Sequence, residues 1–427
     1  MNDSIVLEPI RLVSGTVKLP GSKSFSNRVL VLSLLAEGVT HIQNLLDSED
    51  VRHMVGALAK LKISFDENRK QQEITITGCG GKIPVEGASL FLGNAGTAMR
   101  SLTAVLSIGK GKFILDGIPR MRQRPIQDLV DGLVQLGVHV QCIENNNCPP
   151  VELNVSGLPG GIAFLNGAIS SQYLSAMLMA APYAQNMVEI VIKDKLVSLP
   201  YVQMTLNLME RFGVCVEHDN YQKFHIQPRQ IYQSPGTVYV EGDASSASYF
   251  LGAAAITGST ITVMGCGAES VQGDTQFARV LEKMGAHVEY LPHSIQLTGH
   301  TLRGIDVDMN DMPDAAMTLA VVALFAEGKT TIRNISNWQL KESERITAVS
   351  TELRKLGAQV DAGNDYISIV PPDNVSSATI DTYDDHRMAM AFSLAACGEV
   401  PITINNPDVV IKTFPEYFEA FSSVISH

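Results

Sequence analysis

The chain has 427 residues, 45% of them hydrophobic, enough for a large core and for two or three domains at roughly 150 residues each. Its 44 acidic residues outnumber 32 basic ones, and a net charge of −12 argues against general nucleic-acid binding or attraction to acidic membranes. Any anion site must therefore be a local basic cluster in an acidic protein. The cysteines at 79, 142, 148, 215, 266 and 397 form no C-x-x-C pair and no metal-finger spacing, and they read as reduced thiols. The opening MNDSIVLEPI lacks the basic start and apolar run of a signal peptide, and the most apolar windows, such as 315–326, are too short to span a bilayer. The expectation is a cytoplasmic chain with no address label.

In chain order, the first informative stretch is 19–28, LPGSKSFSNR, which runs into the apolar segment 29–36. Ser22 or Ser24 is placed to cap the helix beginning there, and two cations and two hydroxyls at a helix start make an anion site. From these residues alone, an ordinary capped helix with solvated Lys and Arg is the alternative. The P-loop pattern fails, because Ser22 stands where it needs the Gly before its Lys.

One unit then recurs. Small-residue helices lead to Gly38, Gly111, Gly258, Gly328 and Gly398, and the helix at 173–185 lacks the closing Gly. A β-rich segment follows each (THIQNL, KFILDG, VEIVIK, TITVMG, TTIRNI, PITINN), then an amphipathic helix closing at Leu61, Leu136, Phe212, Met284 or Leu356, a period of roughly 70 residues. Gly137, Gly213, Gly285 and Gly357 follow the last four as C-cap signals. The pattern predicts an α/β protein of six units, three per domain, with a domain change near 236–243 and the sixth unit cut short at the helix-like stretch 415–425.

Polar residues gather at the starts of the small-residue helices: GSKSFSNR, GNAGTAMR, AISSQYLSA, DASSASY, MPDAAMT and YDDHRMA. If the units are equivalent, these starts face one cleft in which several dipoles favour an anion. Lys23, Arg28, Arg100, Arg124, Lys341, Arg345, Arg387 and Lys412 fall nearby. Each has a plainer reading: Arg120, Arg122 and Arg124 as a solvated loop, and residues 341–345 as a charged helix face. Asp384, Asp385 and His386 read as capping plus Arg pairing in preference to metal ligands.

Eight motifs together, GSKSFSNR, LGNAGTAMR, PRMRQRP, SSQYLSAML, DMPDAAMTLA, NWQLKESERI, DDHRMAM and KTFPEYF, resemble the enolpyruvyl transferase family over about residues 19–418. Within it they are similar to the branch acting on shikimate 3-phosphate. The resemblance implies a two-domain inside-out α/β barrel of six βαβαββ units. Residues 21–240 would form one domain, 1–20 plus 241–427 the other, with the active site in the cleft between them. It implies transfer of the enolpyruvyl group of phosphoenolpyruvate to the 5-hydroxyl of shikimate 3-phosphate by addition and elimination, with no metal and no cofactor. Such chemistry needs general acids and bases and dense positive charge.

Matched motif by motif, the resemblance assigns shikimate 3-phosphate to Lys23, Ser24, Arg28, Ser170, Ser171, Gln172, Ser198, Tyr201, Asp314, Asn337 and Lys341. Phosphoenolpyruvate falls to Asn94, Gly96, Arg124, Gln172, Arg345, Arg387 and Lys412, with Lys23 between the ligands. Asp314 would be the base for the hydroxyl, and Glu342 and Lys23 would exchange the methylene proton. Two positions depart from the family: Leu199 replaces a usual Lys between Ser198 and Pro200, and Ser101 replaces a usual Pro. A Pro in the first turn of a helix costs no needed N–H. Ser there should relax the turn carrying Gly96 and weaken inhibition by glyphosate, which in this family competes with phosphoenolpyruvate. The sister branch acting on UDP-N-acetylglucosamine carries a reactive Cys that loop 116–129 lacks, and a silent scaffold would have lost some of Lys23, Asp314 and Glu342. The expected partners are small substrates, with neither nucleic acid nor membrane, and a monomer is the default.

Overall fold

The computed structural model describes residues 3–427, in two compact units: Gly21–Val240, and Met1–Pro20 with Glu241–His427. In the first, helices come in pairs: α1 (Lys23–Leu35) and α2 (Glu49–Lys60), α3 (Gly96–Leu106) and α4 (Gln127–Gln135), α5 (Ser171–Ala180) and α6 (Leu199–Arg211). The second continues with α7 (Ala244–Thr257), α8 (Phe277–Met284), α9 (Ala316–Val322), α10 (Arg345–Lys355), α11 (His386–Ser393) and α12 (Tyr417–Ser422).

The helices of each pair differ in kind. Every residue of α1 from Phe25 onward is buried, as is every residue of α7 from Ala244 to Ala255. A helix apolar on all sides belongs in an interior. Accordingly α3 packs against α1 and α5 in one unit, and α9 against α7 and α11 in the other. The partners α2, α4, α8 and α10 each keep an exposed stripe.

Sheets cover these inner helices and share one plan. Gly87–Phe91 and Lys110–Asp116 run parallel, joined through α3, and Val151–Ser156 and His139–Cys142 add antiparallel. Gly161–Leu165, joined to Val188–Ile192 through α5, opens a second such sheet. For α1 the preceding parallel strand comes from the far end of the unit, where Thr237–Tyr239 pairs with His41–Gln43. In the other unit Gly15–Lys18 pairs in parallel with Ile261–Met264, so the N-terminal segment supplies the strand that α7 requires. The chain therefore passes between units at 20/21 and again at 240/241. The final sheet has three strands: Ile402–Asn405 between Ala378–Ile380 and the antiparallel Ser4–Leu7. The stretch 415–425 is helical only over Tyr417–Ser422, and Ile425–Ser426 then pairs with Leu12–Val13. The sheets are open, and no closed sheet forms among the described residues.

The small-residue helices do not all run as far as their glycines. Of the five small-residue glycines only Gly258 is itself a left-handed helix cap, at φ +65°. The first helix stops at Leu35 and the third at Leu106, and Gly38 and Gly111 serve the entry to the next strand, at φ +94° and +100°. A Cβ on Gly111 would strike the Glu86 carbonyl, so close strand approach, as well as its backbone angle, demands Gly there. The second series behaves as expected: Gly137, Gly213, Gly285 and Gly357 all have positive φ at the ends of α4, α6, α8 and α10.

Candidate active site

In the Gly21–Val240 unit most of the expected site residues stand at or just before helix starts. Ser22, not Ser24, caps α1, its side chain accepting from the Phe25 amide at 3.5 Å. Lys23 begins the helix and its Nζ lies 3.5 Å from Asp50 Oδ2 on α2. One turn further, Arg28 is 2% exposed. Its Nε donates to Thr205 Oγ1 at 2.7 Å, Nη1 to the Ser24 carbonyl at 3.0 Å, and Nη2 to Ser175 Oγ at 3.4 Å and the Tyr201 carbonyl at 3.2 Å. These acceptors are all neutral, and burial pushes the guanidinium pKa down to about 10. A buried cation without a counter-charge is costly, which suits a position awaiting an anion.

Ser170 caps α5, accepting from the Gln172 amide at 3.2 Å, and Ser171 behind it is buried. The Gln172 Oε1 is a buried acceptor with no partner. Ser198, also buried, enters α6 in a left-handed conformation at φ +54°, uncommon for a residue with a side chain.

Around α3, Arg124 Nη1 donates to both the carbonyl and the Oδ1 of Asn94, at 3.1 and 3.0 Å. The Pro125 carbonyl beside it accepts from Arg100 Nη2 at 3.1 Å and Tyr173 Oη at 2.7 Å, tying this loop to α3 and α5. A Cβ on Gly96 would meet Arg100 Nη1 and stand 2.8 Å from Arg124 Nη2. Gly96 thus lets two guanidiniums close over the helix start. The neighbouring arginines take the plainer reading: Arg122 pairs with Asp116 at the surface, and Arg120 bonds Gln123. Ser101 is the sixth residue of α3, beyond its first turn. A proline there would cost a helical N–H bond, contrary to the expectation that it costs none.

The other unit holds a denser cluster. Asp314, just ahead of α9, accepts from Arg345 Nη1 at 2.7 Å and Lys341 Nζ at 3.5 Å on one oxygen, and pairs with Arg387 Nη2 at 3.0 Å on the other. Trp338 Nε1 donates to the preceding Pro313 carbonyl at 2.6 Å and fixes this turn. Burial alone would raise the Asp314 pKa, but Arg387, Lys341 and Arg345 outweigh it and hold the carboxyl well below its usual range. Lys341 moves down, because burial exceeds what Asp314 gives back.

Arg345, 1% exposed, also reaches Asp385 through Nε at 2.8 Å and Glu342 through Nη2 at 3.1 Å. Burial works against its charge, yet Asp385, Asp314 and Glu342 raise its pKa. Asp385 also caps α11, accepting from the Arg387 amide at 3.0 Å, the capping and Arg pairing expected of it. Asn337 is buried with Oδ1 unmatched, and Lys412 is buried at the end of a 3-10 turn, Pro407–Lys412.

Asp314, Glu342, Lys341, Arg345 and Arg387 thus meet in one ion network. Arg28 meets Ser24 and Tyr201 through their carbonyls, and Arg124 meets Asn94 beside Gly96. Sequence reasoning missed Asp50, Ser175 and Thr205, whose partners lie on other elements at no periodic spacing. Among the described residues no group of three or more His, Cys, Asp or Glu is arranged to hold a metal ion, and no helix is long and apolar enough to cross a membrane.

A family model described as EPSP synthase (3-phosphoshikimate 1-carboxyvinyltransferase) matches residues 7–421. The chain is 57% identical over 440 residues to the chloroplastic 3-phosphoshikimate 1-carboxyvinyltransferase of Arabidopsis thaliana, covering 99% of this chain and 85% of that one. It is 55% identical over 423 residues to the 3-phosphoshikimate 1-carboxyvinyltransferase of Yersinia pseudotuberculosis, covering 99% of each. Among solved structures, an EPSP synthase from Acinetobacter baumannii superposes with a TM-score of 0.83 at 26% identity over 99% of both chains.

Proposed function

The chain belongs to the EPSP synthase family, and we propose that the polar clusters of its two units are the machinery of that family's reaction. The reaction moves the enolpyruvyl group of phosphoenolpyruvate to the 5-hydroxyl of shikimate 3-phosphate and releases phosphate, a step of the shikimate pathway to aromatic amino acids. The match does not favour UDP-N-acetylglucosamine as acceptor.

The observation that carries the residue assignment is the Asp314 network, a carboxylate gripped by Arg345, Lys341 and Arg387 at 2.7 to 3.5 Å. So gripped, Asp314 is ionised but a weak base. Phosphoenolpyruvate competes for Arg345 and Arg387, and shikimate 3-phosphate for Lys341. As the cations turn to the ligands, Asp314 regains basicity and takes the proton of the attacking hydroxyl. Glu342 and Lys23 exchange the methylene proton, and Arg124, Arg345, Arg387 and Lys412 stabilise the departing phosphate. Lys23, Ser24, Arg28, Ser170, Ser171, Gln172, Ser198, Tyr201 and Asn337 hold shikimate 3-phosphate, and Asn94, Gly96 and Gln172 complete the phosphoenolpyruvate site.

In this reading residues 21–240 and 1–20 plus 241–427 are the domains, each of three βαβαββ units in an inside-out α/β barrel, with the substrates in the cleft between them. The shared sheet plan supports it. The reading includes a monomer in the cytoplasm, consistent with six free cysteines. The test is phosphate release from phosphoenolpyruvate by the purified protein. Release should require shikimate 3-phosphate, and release driven by UDP-N-acetylglucosamine instead would overturn the assignment.

A further inference from the structure

Arg28 is set apart from Arg345, another deeply buried guanidinium, by what surrounds it. Arg345 has three carboxylates, whereas Arg28 has Thr205, Ser175 and two backbone carbonyls, and no carboxylate pairs with it among the described residues. The two hydroxyls also bond each other, Thr205 Oγ1 lying 3.0 Å from Ser175 Oγ, and Thr205 lies 2.8 Å from the Tyr201 carbonyl one turn back on α6. Thr205 is fully buried and Ser175 is 3% exposed, so neither competes with water for the guanidinium. An Asp at either place would hold Arg28 just as firmly, but it would cancel the charge.

We propose that Thr205 and Ser175 are positioning residues for shikimate 3-phosphate: they fix the Arg28 guanidinium with neutral oxygens and leave its full positive charge for an anionic group of the ligand. This rests on the reading of Arg28 as a shikimate 3-phosphate ligand. Thr205 anchors the Nε edge and Ser175 supports Nη2, so α5 and α6 together set the direction of the fork. Charge-assisted bonds to a planar guanidinium depend on that direction.

The test measures the dissociation constant of shikimate 3-phosphate alone, with melting temperature and kcat, for Thr205→Val, Thr205→Ser, Thr205→Asp and Arg28→Gln. Thr205→Val should weaken binding about tenfold, the scale of one charge-assisted hydrogen bond, with kcat nearly unchanged. Thr205→Ser should restore wild-type binding. Thr205→Asp should weaken binding further while the melting temperature holds or rises, a split that a packing role does not produce. If Arg28→Gln weakens binding and Thr205→Val does not, the positioning role fails while the reading of Arg28 stands. If Arg28→Gln itself leaves binding unchanged, that reading fails. Loss of melting temperature in Thr205→Val with normal affinity also overturns the proposal.

Discussion

Arg28 and Arg345 are both almost wholly buried, and the fold treats them in opposite ways. Around Arg345 every cation has a carboxylate, and the network is internally balanced before any ligand arrives. Around Arg28 the fold supplies geometry without counter-charge. On the proposed reading the difference separates two tasks: Arg28 keeps surplus charge for an anion, whereas the Asp314 network lends its cations to the ligands and in doing so readies a base for proton transfer. Lys23, paired with Asp50 at 3.5 Å, combines the two, a cation at a helix start with a carboxylate in reach.

The sharpest way to break this contrast is at Lys23. Lys23→Met should reduce turnover to background, and near-normal steady-state turnover would remove Lys23 from the mechanism. It also takes the ammonium from Asp50, which is 2% exposed, so the melting temperature should fall, and adding Asp50→Asn should recover stability without activity. Next in size, Asp314→Asn should lower kcat by about 10² to 10⁴, as loss of a general base does.

The Asp314 pKa is held below its unfolded value, so its contribution to stability is complete above about pH 4 and is lost as pH falls through the folded value. Acid titration of Asp314→Asn, followed by circular dichroism, should therefore show a shallower loss of stability than the wild type below about pH 4. Equal slopes would mean that the cations do not hold the carboxylate as described.

Smaller effects are expected at α3. Gly96→Ala should raise the KM for phosphoenolpyruvate about tenfold by displacing the Arg100 and Arg124 guanidiniums, with little change for shikimate 3-phosphate. Ser101→Pro should lower the melting temperature, because the position lies inside the helix, and should tighten glyphosate inhibition modestly. An unchanged inhibition constant would detach residue 101 from the turn carrying Gly96.

The helix starts were legible because their polar residues stand beside buried apolar runs, a local pattern. Asp385 was legible as a cap for the same reason. Helix ends were less so: α1 and α3 stop short of Gly38 and Gly111, since the chain leaves the helix before turning into the next strand. Ser101 was misplaced by the same uncertainty of a few residues. Thr205 and Ser175 left no trace, because a hydroxyl inside a helix reads as filler until a guanidinium from another helix is found against it. Which cations were balanced was equally hidden, since Arg28 and Arg345 look alike in sequence and differ only in what folds around them.

The most direct measurement of that difference is the dissociation constant of shikimate 3-phosphate and the kcat of Arg28→Gln and Asp314→Asn, determined side by side. Arg28→Gln should lose affinity far more than kcat, and Asp314→Asn should lose kcat while its affinity stays within a few-fold of wild type. Equal loss of affinity in the two variants would contradict the division between a receptor and a proton-transfer centre.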